Sequence, residues 1–235
     1  MFTRRLFCGC VAASAGFSAV PASAQGLECA VFTPERQKAL TPDDALATLK
    51  EGNARFLAGK SINCDLMAQV KATSSGQAPF AAVVGCIDSR VPPELVFDQR
   101  IGGMFVARVA GNFVNTDIIG SLEYSAKVVG ARVIVVLGHS ECGAIKGVVD
   151  DVKLGNLTAM LENLKPAVQA SKGVEGEQNS HNKKLVQKVA DANVRLSTAK
   201  LLDRSPVLKE MVNAGQLKIA GAMHDVATGR VEFFS

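Results

Sequence analysis

The sequence predicts an α/β fold with a mostly parallel central sheet, helices on both faces, and a C-terminal hairpin that supplies an edge strand. The alternation of two kinds of segment leads to this prediction. Short unbroken apolar runs, typical of strands that are covered on both faces, alternate with segments of helical periodicity. Strand–helix–strand units of this kind build parallel sheets with right-handed crossovers. No repeat, low-complexity tract or linker divides the chain, so we expect one domain.

The elements can be justified in order, beginning with a helix over 42–57. Thr41 offers an N-cap, Pro42 suits the first helical position, an acid stands three residues after the cap, and Gly59 is a natural stop. The further predicted elements are strands over 80–85 and 104–109, a helix over 117–129, a strand over 132–137, helices near 152–170 and 181–202, a loop over 173–180, a helix from Ser205-Pro206 to Gly215, and a hairpin over 217–234 that turns at Thr228-Gly229.

The composition of the 235-residue chain narrows the possible classes of function. Hydrophobic residues make up 48% and charged residues 20%, which is typical of a globular protein. The net charge is only +4, Lys and Arg never run beyond two in a row, and aromatic residues are too few to form a stacking platform for bases. We therefore expect no nucleic-acid partner. No apolar run is long enough to span a membrane.

The first 24 residues have the pattern of a secretory signal peptide. A basic start precedes an apolar stretch, and the segment ends in Ala22-Ser23-Ala24, the small-x-small pattern that signal peptidase cleaves. Thr3-Arg4-Arg5-Leu6-Phe7 favours the twin-arginine type, with an ordinary Sec signal as the alternative. We expect a periplasmic protein whose remaining chain consists of an N-terminal arm (25–41) and a folded domain (42–235).

Two predicted strands end in residues that can bind metal. One runs into Gly85-Cys86-Ile87-Asp88-Ser89-Arg90 and the other into Gly138-His139-Ser140-Glu141-Cys142-Gly143. In an open α/β sheet, ligands bind outside the carboxyl ends of the strands. If the two strands are neighbours, the residues brought together are Cys86, Asp88, His139 and Cys142. Each residue alone would more often be a packing residue, but their joint occurrence after two apolar strands favours a metal site.

Two thiolates and one imidazole are a familiar set of zinc ligands, and three protein ligands leave an open position for water. Asp88 leaves two alternatives. It is either a fourth ligand that closes the site, or it pairs with the planar guanidinium of Arg90 and leaves that position to water, whose pKa zinc lowers toward neutrality. Cys142 stands where a helix should begin, which favours its thiolate. The chain has no GxGxxG or P-loop pattern, so no nucleotide cofactor is expected.

These two segments resemble the hallmarks of the β-class carbonic anhydrases, Cys-x-Asp-Ser-Arg and Gly-His-(Ser/Thr)-x-Cys-Gly, and the similarity extends over about 42–235. The resemblance implies one zinc ion per subunit on Cys86, His139 and Cys142, with Asp88 either on the metal or paired with Arg90. It also implies reversible hydration of carbon dioxide to bicarbonate and a proton, through attack by zinc-bound hydroxide.

The resemblance further implies an obligate homodimer, often part of a larger assembly, with an N-terminal helix lying on the partner. In one subgroup the carbon dioxide pocket is lined by residues that match Gln77, Phe105 and Tyr124, the Tyr coming from the partner. The other subgroup has a regulatory bicarbonate site with a Trp, an Arg and a C-terminal Tyr. This chain has no Trp and has His224 at the Tyr position, so bicarbonate inhibition of that kind is not expected. In the segment Arg108-Val109-Ala110-Gly111-Asn112, Val109 stands where the family more often has Asn. The resemblance therefore does not indicate which hydrogen bonds this segment makes beside the pocket.

Three alternatives to carbon dioxide hydration remain at this stage. The same nucleophile could hydrolyse carbonyl sulfide or carbon disulfide, the protein could bind zinc or bicarbonate without catalysis, or the thiols could have a redox role. Two cysteines lie outside both the signal segment and the metal motifs. In an oxidising periplasm, Cys29 and Cys64 could form a disulfide that ties the arm to the end of the first helix, within one subunit or across a dimer.

Overall fold

The computed structural model describes residues 29–234 and contains one five-stranded sheet, ordered β2-β1-β3-β4-β5. The first four strands run parallel, and β5 pairs antiparallel with β4 as the edge strand. The strands are β1 Ala81–Gly85, β2 Met104–Arg108, β3 Val133–His139, β4 Lys218–His224 and β5 Val231–Phe233. The predicted fold class is confirmed, including the C-terminal hairpin, in which Gly229 has a left-handed φ of 79°.

The two central strands are buried throughout because helices cover both faces of the sheet. Successive side chains of a strand point to opposite faces. Ala82 and Val84 belong to the hydrophobic cluster on one face, whereas Ala81 and Val83 belong to the cluster on the other. This two-sided burial explains why the strands read as unbroken apolar runs in the sequence.

Ten α-helices surround the sheet in the described part of the chain. They are α1 Pro34–Ala39, α2 Pro42–Leu57, α3 Leu66–Thr73, α4 Pro93–Val96, α5 Thr116–Glu123, α6 Gly143–Val149, α7 Gly155–Leu161, α8 Lys165–Ala170, α9 Lys183–Arg204 and α10 Pro206–Asn213. The prediction for α2 is confirmed at both ends: Thr41 and Asp44 form a capping box, and Gly59 has a φ of 64° just after the helix. Of these helices, α9 packs directly on β3 and β4.

Two predicted helices differ from the structure in their interior. The helix expected over 117–129 starts as α5 but continues as a π-helical turn over Tyr124–Val128. The helix expected near 152–170 is broken into α7, a 3-10 turn over Glu162–Leu164, and α8. The break has a physical reason, because Pro166 lacks a backbone N–H and is tolerated only in the first turn of a new helix.

The N-terminal arm lies on its own chain at the amino ends of β1 and β3. The Phe32 ring packs on Phe80 at a centroid distance of 4.6 Å, and Gln37 Nε2 donates to the carbonyls of Pro79 (2.8 Å) and Val129 (3.0 Å). The arm also contains α1, which the sequence reasoning did not predict.

The arm is fastened by a disulfide between Cys29 and Cys64, whose Cα atoms are 5.5 Å apart, so the intrachain alternative is the one confirmed. The signal segment 1–24 and its cleavage site lie outside the described residues. Within residues 29–234, none of the helices combines the length and apolar character needed to cross a bilayer.

Candidate metal centre

The site lies at the carboxyl edge of the sheet, where β1 and β3 end side by side. The two strands are parallel neighbours with Gly85 opposite Leu137, so Cys86 leaves β1 beside the last residues of β3. His139 is the final residue of β3, and Cys142 is the N-cap residue of α6. The predicted convergence of the two motifs is therefore confirmed.

Cys86, His139 and Cys142 form a buried group that could hold a metal ion, since their ligand atoms all lie within 4.8 Å of one another. The Nδ1 of His139 is 2.8 Å from the Ser140 carbonyl, which can only accept, so Nδ1 carries the proton. The other ring nitrogen, Nε2, is buried and has no hydrogen-bond partner among residues 29–234. An imidazole oriented through Nδ1, with a free Nε2 beside two thiols, fits a zinc site.

The two thiols ionise unequally because they are hydrogen-bonded to each other. The hydrogen bond with Cys142 is the largest cause that lowers the pKa of Cys86, with smaller contributions from His139 and the Gly111 N–H, while burial opposes them. The hydrogen bond with Cys86 and burial raise the pKa of Cys142. The pair therefore shares one proton, which a metal cation at this position would replace.

Asp88 is turned away from this group and pairs with Arg90. Arg90 Nε donates to Asp88 Oδ1 at 2.9 Å, and Nη2 donates to Oδ2 at 2.7 Å. The Arg90 side chain is the main cause that holds the pKa of the Asp88 carboxyl well below its usual range. Asp88 Oδ2 is still only 3.8 Å from His139 Nε2. Of the two sequence alternatives, the structure has the paired arrangement, in which Asp88 borders the metal group without joining it.

Arg108 supports this loop from the end of the neighbouring strand β2. Its Nε donates to the Cys86 carbonyl at 2.7 Å and its Nη2 to the Asp88 carbonyl at 2.6 Å. The guanidinium thus fixes the backbone on both sides of Ile87, in the loop that carries the first thiol and the carboxylate. Sequence reasoning gave Arg108 no role, although its position at the end of the strand adjoining β1 was a usable signal.

Comparison with known proteins agrees with this geometry. A family model described as carbonic anhydrase matches residues 81–231, a segment that contains both motifs. A solved structure of tetrameric β-carbonic anhydrases from Sordaria macrospora superposes with a TM-score of 0.60 at 26% identity, covering 82% of this chain and 98% of that one. The chain belongs to the β-class carbonic anhydrase family. Carbonic anhydrase 2 of Mycobacterium tuberculosis is 34% identical over 195 residues, which are 80% of this chain and 91% of that protein. The carbonic anhydrase of Mycolicibacterium smegmatis is 34% identical over 200 residues, which are 83% and 94% of the two chains.

The three residues expected to line the carbonic anhydrase pocket do not meet the metal group within one chain. Gln77 is exposed and precedes β1, whereas Cys86 follows β1. The two residues are therefore separated by the length of the strand, which is about 13 Å or more at roughly 3.3 Å per residue. Phe105 lies opposite Ala82, near the amino end of β1. Tyr124 is half exposed, with its ring 6.1 Å from that of Phe105, and both line a cavity of about 190 Å³.

A second histidine lies beside the metal group of this carbonic anhydrase. His224 ends β4 in register with His139, and its carbonyl accepts from the Ser140 N–H at 2.9 Å. Burial is the main cause that lowers the pKa of His224 below its ordinary value. The buried Nδ1 of His224 has no partner among the described residues.

Proposed function

We propose that this protein catalyses the reversible hydration of carbon dioxide to bicarbonate and a proton, with one zinc ion per subunit held by Cys86, His139 and Cys142. The observation that carries the proposal is the buried group of three donors, in which His139 Nε2 is free while Asp88 is turned to Arg90. Three protein donors without a fourth are the arrangement typical of catalytic rather than structural zinc. Membership of the carbonic anhydrase family supports the same reaction.

Zinc bound there would lower the pKa of a water molecule in its open position to about 7 and so supply a nucleophile at neutral pH. The residues of the chain then have distinct tasks. Asp88, kept ionised by Arg90, can only accept hydrogen bonds, so a hydroxyl that donates to it turns its lone pair toward the substrate. By pairing with this carboxylate, Arg90 would keep it from becoming a fourth ligand of a bound metal. We assign Asp88 and Arg90 to this orienting role.

The substrate pocket is assigned to Gln77, Phe105 and Tyr124, with an amide that orients a carbon dioxide oxygen and two rings that surround the apolar molecule. Because Gln77 lies at the opposite end of β1 from Cys86, these residues can act only on the metal group of a second copy. We therefore propose a homodimer or a larger homo-oligomer as the active form. The Sordaria macrospora relatives are tetrameric, which supports an assembly larger than one chain.

We also propose that the protein is exported to the periplasm after removal of residues 1–24. The disulfide between Cys29 and Cys64 supports this location, because such bonds persist in oxidising compartments and are rare in the cytosol. Mass analysis of the protein purified from a cell fraction tests it. We expect the protein in the periplasmic fraction with Gln25 as its first residue, and recovery of uncleaved chain in the cytosol would contradict the proposal.

The deciding test of the function is a carbon dioxide hydration assay combined with metal analysis of the same mature protein. We expect about one zinc per chain. We also expect a hydration rate that rises with pH between about 6.5 and 9, because a water molecule whose pKa zinc lowers to about 7 would lose its proton over this range. Zinc without hydration would favour a non-catalytic binding protein. Faster turnover of carbonyl sulfide or carbon disulfide would reassign the substrate, and a metal-free protein with reactive thiols would favour a redox role.

A further inference from the structure

A tight turn lies against the first metal-binding thiol. Gly111 has a left-handed φ of 81°, and its N–H donates to Cys86 Sγ at 3.3 Å. The turn is closed by the Asn112 N–H, which donates to the Val109 carbonyl at 2.9 Å. The φ favours glycine, and a Cβ at position 111 would come within 2.7 Å of Leu164 Cδ1 and displace that side chain. The Arg108–Asn112 segment, left open by the sequence, thus supplies a backbone donor to Cys86.

Glycine alone would leave this turn adjustable, but a side chain from α9 fixes it. Asn193 Nδ2 donates to the Gly111 carbonyl at 2.7 Å, across 82 positions of sequence. Asn193 is only 3% exposed, so water does not compete for this carbonyl and its loss would leave a buried acceptor unpaired. The carbonyl and the N–H of Gly111 are attached to the same Cα. A hydrogen bond that fixes the carbonyl therefore also restricts the direction of the N–H.

We propose that Asn193 is a positioning residue of the metal centre: it holds the Gly111 carbonyl so that the Gly111 N–H stays directed at the Cys86 sulfur. The inference rests on the proposed zinc site. A hydrogen bond to a metal-bound thiolate withdraws electron density from the sulfur and steadies its orientation. Two thiolates donate strongly to one metal, and the Gly111 N–H offsets part of the donation from Cys86. The steadier sulfur would hold the metal more firmly, and the smaller donation would preserve the metal's power to acidify water.

Cobalt(II) in place of zinc reports on this hydrogen bond directly, because its thiolate-to-metal absorption band depends on the electron density of the sulfur. The variants are Asn193→Leu, which keeps the branched shape but cannot donate, and Asn193→Ala. The matched control is Asn53→Ala. Asn53 is similarly buried and donates to the backbone carbonyls of Val96 (3.1 Å) and Gly229 (3.0 Å), neither of which belongs to the metal group.

We expect both Asn193 variants to move the cobalt band to lower energy and to lose zinc to a chelator about tenfold faster, the lower end of what loss of a ligand-supporting contact costs. Asn53→Ala should lower stability while leaving the band and the zinc loss unchanged. An unmoved band and unchanged zinc loss in folded Asn193→Leu would overturn the inference and leave the proposed function intact. A wild-type protein that binds neither metal would overturn both.

If neither Asn193 variant folds, the wild-type protein still tests the hydrogen bond on which the inference depends. With cadmium-113 in the site, a Gly111 N–H bonded to the Cys86 sulfur should show scalar coupling between its proton and the metal through the hydrogen bond. Coupling at the Gly111 amide supports the inference. A resolved Gly111 amide without coupling, in a protein whose Cys86 is bound to the metal, would overturn it.

Discussion

At the scale of single residues, the four cysteines among residues 29–234 lie in two different chemical environments. Cys86 and Cys142 are buried and free in the structure, next to an imidazole with an unpartnered nitrogen. Cys29 and Cys64 form a disulfide. Cys8 and Cys10 belong to the proposed signal segment. The position of a thiol, rather than the number of thiols, therefore determines whether it serves a metal or a covalent link.

Replacement of Cys142 by Ser should remove the metal, because a hydroxyl is a poor zinc ligand and only two donors of the buried group remain. We expect the zinc content, measured by mass spectrometry after dialysis, to fall from about one per chain to a small residue. The double replacement of Cys29 and Cys64 by Ser is the control and should retain its zinc. Full zinc content in Cys142→Ser would show that the group is not the metal site.

Arg90→Ala separates metal binding from catalysis. The three donors remain, so zinc should be retained, but the Asp88 carboxylate loses both hydrogen bonds from the guanidinium and is free to turn toward the metal. We expect a loss of about a hundredfold in kcat for hydration, within the range for misplaced proton-handling groups. Arg55→Ala, which breaks an Arg–Asp pair with Asp98 outside the site, is the control and should keep the rate. Full activity of Arg90→Ala would refute the orienting role.

The same pair gives a pH dependence of stability in the metal-free protein. The pKa of Asp88 is lower in the folded protein than the value of about 3.9 of an unfolded Asp. The ionised Asp88 therefore contributes to the free energy of unfolding above about pH 4, and this contribution is lost as the pH falls toward the folded pKa. Urea unfolding should therefore show the largest difference between wild type and Arg90→Ala above about pH 4. A difference that grows as the pH drops further would contradict this sign.

At the scale of elements, the disulfide fastens the arm to the end of the sheet that is remote from the metal. The arm packs on residues just before β1 and β3, whereas the metal group follows those strands. Replacing Cys29 and Cys64 by Ser should lower the free energy of unfolding by about 2–4 kcal/mol, since the bond closes a loop across 35 positions. Urea denaturation measures this loss. An unchanged midpoint would mean that the arm does not contribute to the cooperative unit.

Elements with a strong local signal were predictable from sequence. Helix α2 has its cap, its proline and its stop within the segment itself, and β1 and β3 are unbroken apolar runs. Helix α3 was missed because Leu66 and Met67 are exposed, so the segment has no clean apolar stripe. Helix α1 was missed although Thr33 and Pro34 form a cap and first turn. The π-helical turn depends on packing around it, which a single sequence does not display.

The three residues of the candidate metal group were predictable for a similar reason, because each lies at or just after the end of a strand within a short motif. The supporting contacts were not. Arg108 acts through the carbonyls of Cys86 and Asp88, and Asn193 reaches Gly111 from a helix 82 positions away. Such contacts exist only once the strands and α9 have packed together, so no local spacing indicates them. Sequence thus located the centre of the site, and the structure supplied the groups that hold it in shape.

At the scale of the whole molecule, one chain has a metal group but no complete pocket. Strand β2 is an edge strand of the sheet. Tyr124 and Val128, in the π-helical turn that follows α5, are 50% and 72% exposed. Ile87, which follows Cys86, is 61% exposed. Exposed apolar side chains along a sheet edge are typical of a surface that another chain covers. This surface agrees with a site in which one copy supplies the metal and the other supplies Gln77.

Mixed dimers test this shared site. Cys86→Ser lacks the metal and Gln77→Ala lacks the pocket amide, so each homodimer should be nearly inactive. In a mixed dimer, the metal group of the Gln77→Ala chain faces the intact Gln77 of the Cys86→Ser chain, which restores one site of two. Co-refolding equal amounts should therefore recover about a quarter of wild-type hydration activity per chain, since about half of the dimers are mixed. If Gln77 served the metal of its own chain, every site in the mixture would lack one group, and activity would stay at the level of the separate variants.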